Sequence, residues 1–298
     1  MKRNELLASF PSFDIQLDVK LSAYTNTRVG GAADMVFWPR TVAELQEVVA
    51  YAYEHDIPVT VLGNASNLII TDEGVRGLTI FVTKLADITV TETTITAGAG
   101  ATIIDVTQQA LEHQLAGIEW AAGIPGSVGG AVYMNAGAYG GQVDEWLTSA
   151  TVIDHNGRLK TYTNTELAFG YRQSLLQQTA EVIVSATFAL QAGQAADISA
   201  KMEDFNEKRA SKQPLEFPSC GSVFKRPEGY FAGKLIMDAG LQGYQIGGAQ
   251  VSRKHAGFIV NRGDATASDY VAVIRHVQDV VQETYGVQLE TEVRILGN

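Results

Sequence analysis

The sequence predicts an α+β fold, and three observations carry that expectation. Threonine-capped stretches with apolar residues at helical spacing mark at least three helices. Thr-, Val- and Ile-rich runs bounded by turn residues mark strands. The two kinds of segment are mixed along the chain without a strict βα alternation.

Thr41-Val42-Ala43-Glu44 has the form of a capping box, and Val42, Leu45, Val48, Val49 and Ala52 then recur as one face, so residues 42–54 read as an amphipathic helix. Residues 57–62 form a short apolar run, the small-residue loop Gly63-Asn64-Ala65-Ser66-Asn67 follows, and Leu68-Ile69-Ile70 is a second run before the turn at Asp72-Glu73-Gly74. Residues 78–98 read as strands with a turn near Glu92-Thr93. Thr102 and Asp105 cap a helix with Ile103, Val106, Ala110 and Leu111 inward. Asn156-Gly157, between Thr151-Val152-Ile153 and Leu159, signals a hairpin. Residues 181–190 read as a strand, 191–196 as a linker, 196–210 as a helix and 235–239 as a short helical stretch. Thr266 and Asp269 cap a further helix whose stripe is Tyr270, Val273, Ile274, Val277, Val280 and Val281, with Gly286 as its left-handed stop. Strict alternation at the end puts Val287, Leu289, Thr291, Val293 and Ile295 on one face of a strand, and Gln288, Glu290, Glu292 and Arg294 on the other.

Composition narrows the function. The 298 residues carry a net charge of −11 and are 46% hydrophobic, which excludes a disordered chain and argues against a nucleic-acid binder. No apolar run is long enough to cross a bilayer, and the N-terminal Met1-Lys2-Arg3-Asn4-Glu5 leads into no secretory-type apolar stretch. Cys220 is the single cysteine. A soluble cytoplasmic protein is the expectation. Charge is uneven, however: residues 208–234 hold six cations and two acids, a net of +4. Such an island points to an anionic small molecule, or else to a solvated charged loop.

The usual nucleotide and hydrolase motifs are missing. Gly98-Ala99-Gly100 lacks the third glycine of a dinucleotide loop, Gly233-Lys234 is followed by Leu235 rather than Ser or Thr, no two histidines stand at zinc spacing, and there is no Gly-x-Ser-x-Gly. What remains are two loops of small residues, 63–67 and 123–141. Their backbone entropy cost is easiest to understand where a flat or phosphorylated ligand lies against the main chain, although tight turns and close packing are the alternative.

Six motifs in order carry a resemblance: Asn26-Thr27-Arg28-Val29-Gly30-Gly31, Gly63-Asn64-Ala65-Ser66-Asn67-Leu68, the 123–130 stretch, Phe169-Gly170-Tyr171-Arg172-Gln173-Ser174, Gly221-Ser222-Val223-Phe224-Lys225 and Glu290-Thr291-Glu292-Val293-Arg294. Together they resemble the UDP-N-acetylenolpyruvoylglucosamine reductase family (MurB), and the short segment between Tyr171 and Glu181 resembles its compact type II form. The resemblance implies a vanillyl-alcohol-oxidase/PCMH-type FAD-binding fold with a C-terminal α+β substrate-binding domain. It divides the chain into lobes at 1–83, 84–195 and 196–298, and the final strand is free to return to the first lobe. It implies non-covalent FAD, NADPH as reductant, and reduction of an enolpyruvyl UDP-sugar to UDP-N-acetylmuramate for peptidoglycan, in a cytoplasmic enzyme with no metal, nucleic acid or membrane partner; the oligomeric state stays open, with a monomer favoured.

Reduction at the terminal vinyl carbon leaves negative charge on the neighbouring carbon and its carboxylate. The site therefore needs a proton donor and stabilisation of an enolate-like dianion. By the family match Ser222 is the donor, Arg172 holds the substrate carboxylate and Glu292 is the second stabiliser, with Glu290 the residue most easily confused with it. Asn64, Ala65, Ser66 and Asn67, flanked by Gly63 and Leu68, would meet the FAD diphosphate. Gly123, Ile124, Gly126, Ser127 and Gly129 would line the nucleotide and flavin. Arg209 and Lys212 would serve the UDP diphosphate, with Lys225 and Arg226 supporting the substrate, although Arg226 stands where many relatives carry Asn. Cys220 reads as a bystander. Two other readings stay open: a related flavin oxidase using O₂, disfavoured because residues 63–76 and 123–141 hold no histidine to tether flavin, and a non-catalytic flavin- or nucleotide-sugar-binding protein.

Overall fold

The structure is a computed structural model and describes residues 2–297; Met1 and Asn298 lie outside it. The chain divides into two compact units, each assembled from separate stretches of sequence. The first takes residues up to Leu17, Asp34–Asn64 and Gly77–Lys208; the second takes Asp18–Ala33, Ala65–Arg76 and the chain from Arg209 on.

In the first unit a five-stranded antiparallel sheet runs in the order Leu159–Thr163, Leu147–Ile153, Val182–Ala189, Thr94–Gly98, Ile88–Thr91. Val59–Leu62 pairs in parallel with residues 78–81. The helices form where their caps predict. Val42–Glu54 starts at Thr41, whose hydroxyl accepts from Glu44 N at 3.1 Å, while the Glu44 carboxylate accepts from Arg40 N rather than closing the box on Thr41. Ile103–Glu112 starts at Thr102, which accepts from Asp105 N. Ile103, Val106 and Ala110 are buried in one core with Leu45, Val48, Ile95, Ala97 and Phe188.

One expectation here needs correction, and another is borne out. The 191–196 linker is ordered: Gln191–Ala192 pairs with Leu115–Ala116, and the helix Ala195–Lys212 begins at once. The Asn156-Gly157 hairpin exists, with Ile153 opposite Leu159, but its loop is longer than a two-residue turn. Asp154 decides this, because its Oδ1 accepts from both Asn156 N and Arg158 N at 2.8 Å, leaving the positive φ at Gly157 alone.

The second unit holds a four-stranded antiparallel sheet in the order Ser219–Ser222, Phe258–Asn261, Ala249–Val251, Gln245–Ile246. Ala267–Tyr285 carries a full capping box between Thr266 and Asp269 and stops at Gly286 with φ 67°. Its Tyr270, Val273, Ile274, Val277 and Val281 are buried with Val223, Phe224, Leu235 and Ile236 of the Ala232–Asp238 helix and its neighbours. The alternating tail is not one strand: only Arg294–Leu296 is, paired in parallel with Leu68–Ile70. Residues 290–293 instead bond singly to residues 223–225.

Asp72 ties the loop after Leu68–Ile70 to the start of the Ala267–Tyr285 helix. Its carboxylate accepts from Ala267 N and Ser268 N at 2.9 Å and from Ser268 Oγ at 2.6 Å. Desolvation pushes this carboxyl up, but those three hydrogen bonds outweigh it and hold it below its ordinary value of 3.8. Its contribution is therefore complete above that value and is lost as pH falls through the lower folded one. Asp72→Asn is expected to cost about 1–2 kcal/mol of unfolding free energy near neutral pH and to flatten the acid limb of the thermal-melt profile. A melt profile identical to wild type would refute this.

Candidate active site

The loop 63–67 has an asymmetric backbone. Its carbonyls face protein: Ala65 O accepts from Asn26 N at 3.3 Å and Asn67 O from Arg294 N at 3.1 Å. Among the described residues the N–H groups of Asn64, Ala65, Ser66 and Asn67 donate to no acceptor. Ala65 sits at φ 45°, a conformation that turns successive N–H groups the same way. A loop with the Ala65 and Asn67 carbonyls engaged by protein and its N–H groups unspent has the donor set of an anion-binding nest. A dinucleotide diphosphate fits that donor set.

In the first unit the start of this loop lies against the second small-residue stretch. A Cβ on Gly63 would fall 2.0 Å from Ser127 Oγ, and Asn64 Nδ2 donates to Pro125 O at 3.5 Å. Ser127 is buried and caps the helix Val128–Tyr133 by accepting from Gly130 N. Gly123, Ile124 and Gly126 lie in the approach to it, all three half-buried. Packing explains other glycines of this stretch. A Cβ on Gly129 would meet Ala99 Cβ at 3.0 Å, one on Gly137 the Gly141 carbonyl at 2.7 Å, and one on Gly141 the Trp120 ring at 2.3 Å. For Gly137 and Gly141 the close-packing alternative explains the absent side chain, whereas Gly140 has open space and a φ of 92°.

Arg172 stands at the tip of a hairpin closed by Gly170 N→Gln173 O and Gln173 N→Gly170 O, both 3.1 Å. Its φ is 57°, a left-handed turn position that glycine or asparagine usually takes and that costs an arginine about 1–2 kcal/mol. The guanidinium is half-buried, donates to Gly137 O at 2.9 Å and Asn135 O at 3.4 Å, and lies 5.0 Å from the Tyr171 ring centre.

In the second unit Ser222 ends the strand Ser219–Ser222, opposite Phe258. Ser219 faces Val260, so three steps on this strand span two on its partner. The extra residue is a β-bulge that includes Gly221 at φ 76°, where open space would admit a side chain and the dihedral would not. The bulge re-aims the chain: Cys220, Val223 and Phe224 are buried while Ser222 is exposed. Burial pushes the Cys220 thiol up to about 12, leaving it protonated and inert.

Glu292 is joined to this strand by its backbone. Glu292 N donates to Val223 O at 2.8 Å, and Glu292 O accepts from Asn67 Nδ2 at 3.2 Å. One residue of the serine motif, one of the diphosphate nest and Glu292 thus form a continuous chain of contacts within this unit. Glu290 and Glu292 do not share a strand face as the alternation predicts. Glu290 is exposed and paired with Lys225 Nζ at 3.1 Å, and Glu292 is half-buried.

The cations of the basic island separate. Lys225 is tied to Glu290. Arg226 lies over the Phe231 ring at 4.0 Å and donates to Tyr230 O. Arg209 is half-buried with Nη1 3.4 Å from Gln213 Oε1, and Lys212 is exposed. Sequence reasoning missed Asn135, the buried residue under Arg172; a lone Asn entering Ala-Gly was its available signal, since Asn adopts positive φ readily.

An anion nest, with Glu292 tied by its backbone to Asn67 of that nest and to Val223 beside the exposed Ser222, fits a protein that binds a phosphate-bearing ligand. Residues 33–163 match the model of the FAD binding domain, and residues 213–296 that of the C-terminal domain of UDP-N-acetylenolpyruvoylglucosamine reductase. The class is therefore an FAD-binding α+β flavoprotein, the fold class anticipated above. UDP-N-acetylenolpyruvoylglucosamine reductase of Limosilactobacillus fermentum is 54% identical over 297 residues, covering 100% of this chain and 99% of that one. The Limosilactobacillus reuteri protein of the same name is 56% identical over 292 residues, 98% of each chain. The crystal structure of the Thermus caldophilus reductase (MurB) superposes with a TM-score of 0.81 at 34% identity, covering 96% of this chain and 99% of that one. The chain belongs to the UDP-N-acetylenolpyruvoylglucosamine reductase family. Among its described residues no helix is long and apolar enough to cross a membrane.

Proposed function

We propose that this chain reduces the enolpyruvyl ether of UDP-N-acetylglucosamine enolpyruvate to UDP-N-acetylmuramate, using FAD and NADPH, in peptidoglycan precursor synthesis. It is an oxidoreductase. The chemistry FAD would supply when bound is transfer of a hydride, received from NADPH, to the terminal vinyl carbon of the substrate. The backbone of Asn64, Ala65, Ser66 and Asn67, between Gly63 and Leu68, holds its diphosphate; Gly123, Ile124, Gly126, Ser127 and Gly129 line its nucleotide and flavin.

Ser222 delivers the proton to the carbon that becomes negative. Its hydroxyl is a weak acid, so the developing alkoxide and the substrate's own carboxylate need fixed positive and hydrogen-bonding partners. Arg172 supplies a guanidinium fork to the carboxylate, which suits that planar anion better than an ammonium. Glu292 is the second stabiliser. Lys225, Arg226, Arg209 and Lys212 draw in and hold the anionic nucleotide-sugar. Residues 1–83 and 84–195 serve FAD and residues 196–298 the substrate; the two family matches fall within those groups. The enzyme works in the cytoplasm, where NADPH and nucleotide-sugars are available, and acts as a single chain.

The observation that carries the reading is the contact chain from Val223, next to Ser222, through Glu292 to Asn67 of the anion nest. The test is spectroscopic. The purified protein is expected to show a flavin band that NADPH bleaches without air and that enolpyruvyl UDP-N-acetylglucosamine restores. Restoration by O₂ alone would favour an oxidase, and a protein that neither carries nor takes up FAD would end the proposal.

A further inference from the structure

We propose that Asn135 is the positioning residue that aims Arg172 at the substrate carboxylate; the inference rests on the carboxylate-binding reading of Arg172 given above. Arg172 occupies a turn position with φ 57°, a conformation an arginine holds only where its surroundings over-determine it. Asn135 is the point where that determination converges. It is 1% exposed and itself left-handed, at φ 42°.

Two of its polar groups act on the arginine or its hairpin, and a third fixes the side-chain amide. Its main-chain oxygen accepts from Arg172 Nη1 at 3.4 Å. Its Nδ2 donates to Gly170 O at 3.1 Å, the carbonyl that also closes the hairpin by accepting from Gln173 N. Its Oδ1 accepts from Asp144 N at 3.1 Å, which fixes the amide the right way round. One side chain thus holds the base of the hairpin while its own backbone holds the guanidinium at the tip. Ser174 Oγ and Gln177 Nε2, both donating to Tyr133 O at 2.8 Å, and Gln177 Nε2 to Arg172 O at 3.0 Å, brace the far side of the turn. None of these bonds needs a ligand, so the guanidinium is oriented before substrate arrives, and that preorganisation is what affinity and rate draw on.

The decisive variant is Asn135→Asp. It keeps the acceptor facing Asp144 N and removes the donor to Gly170 O, with almost no change of volume. Substrate affinity is read by calorimetry with enolpyruvyl UDP-N-acetylglucosamine on the FAD-loaded protein, and the two half-reactions are read by stopped flow. Asn135→Asp is expected to weaken substrate binding and raise its KM about tenfold, while NADPH-driven flavin reduction stays within about twofold of wild type. Asn135→Ala should move the same quantities further. In an Arg172→Ala background, Asn135→Asp should add less than about a twofold effect. Wild-type affinity in Asn135→Asp with Arg172→Ala defective would overturn this inference alone, as would an equal penalty with and without Arg172. An Arg172→Ala enzyme with normal affinity and substrate half-reaction would overturn the reading of Arg172 and the inference with it.

Discussion

Replacing Ser222 with alanine is expected to slow reoxidation of the reduced enzyme by enolpyruvyl UDP-N-acetylglucosamine by about 10²–10⁴, the usual cost of losing a general acid. Reduction by NADPH should proceed at the wild-type rate. The split follows from the proposed donor role of the hydroxyl: only the substrate half-reaction needs a proton at carbon. The structure also says the variant will fold. Ser222 is exposed, and the strand end is held by Val223 and Phe224, which are buried, and by Val223 N→Gly257 O at 2.9 Å. The bulge depends on Gly221, whose φ of 76° is untouched by the change. Stopped-flow traces of the two half-reactions check this directly. Equal slowing of both would remove Ser222 from the donor role.

Much of this architecture can be read from residues alone, and the parts that cannot have identifiable causes. The three threonine caps at Thr41, Thr102 and Thr266 act locally, through a hydroxyl and an N–H three residues on, so the sequence contains everything needed to see them. The apolar stripes of Val42–Glu54 and Ala267–Tyr285 are legible for the same reason. Residues 287–293 mislead because alternation records only which side chains are buried. Leu289 and Val293 are buried as the pattern requires, yet the backbone of residues 290–293 makes single bonds to 223–225 rather than a ladder. The pairing of Gln191–Ala192 with Leu115–Ala116 joins segments far apart in sequence, and two small or polar residues carry no pattern. The left-handed backbone at Arg172 is invisible for a deeper reason. It opposes the residue's own preference and exists because Asn135, Gly137 and Gln177 hold it. Local rules fail most informatively where function imposes a cost.

The choice between the two tail carboxylates yields the second large effect. Glu292→Gln is expected to lower turnover by about 10²–10³, the range for losing one group that stabilises developing charge; Glu290→Gln should stay within about twofold, as expected for an exposed ion pair. Glu290 lies with its side chain 72% exposed, bonded to Lys225, so its loss frees one lysine and disturbs little else. Glu292 is pinned by its backbone on both sides, at Val223 O and Asn67 Nδ2, and Thr291 before it bridges to Phe224. That clamp fixes the Cα from which the carboxylate projects, which is the requirement for a group acting on a transient charge. Glutamine keeps the volume and leaves the clamp intact, so the comparison isolates the carboxyl chemistry from packing. Steady-state turnover of the two variants, with melting temperatures to show that both fold alike, checks the ranking. If Glu290→Gln proved the more damaging, the tail's contribution to the reaction would run through Lys225 and its partner, and Glu292 would revert to a backbone tie between the serine strand and the diphosphate nest.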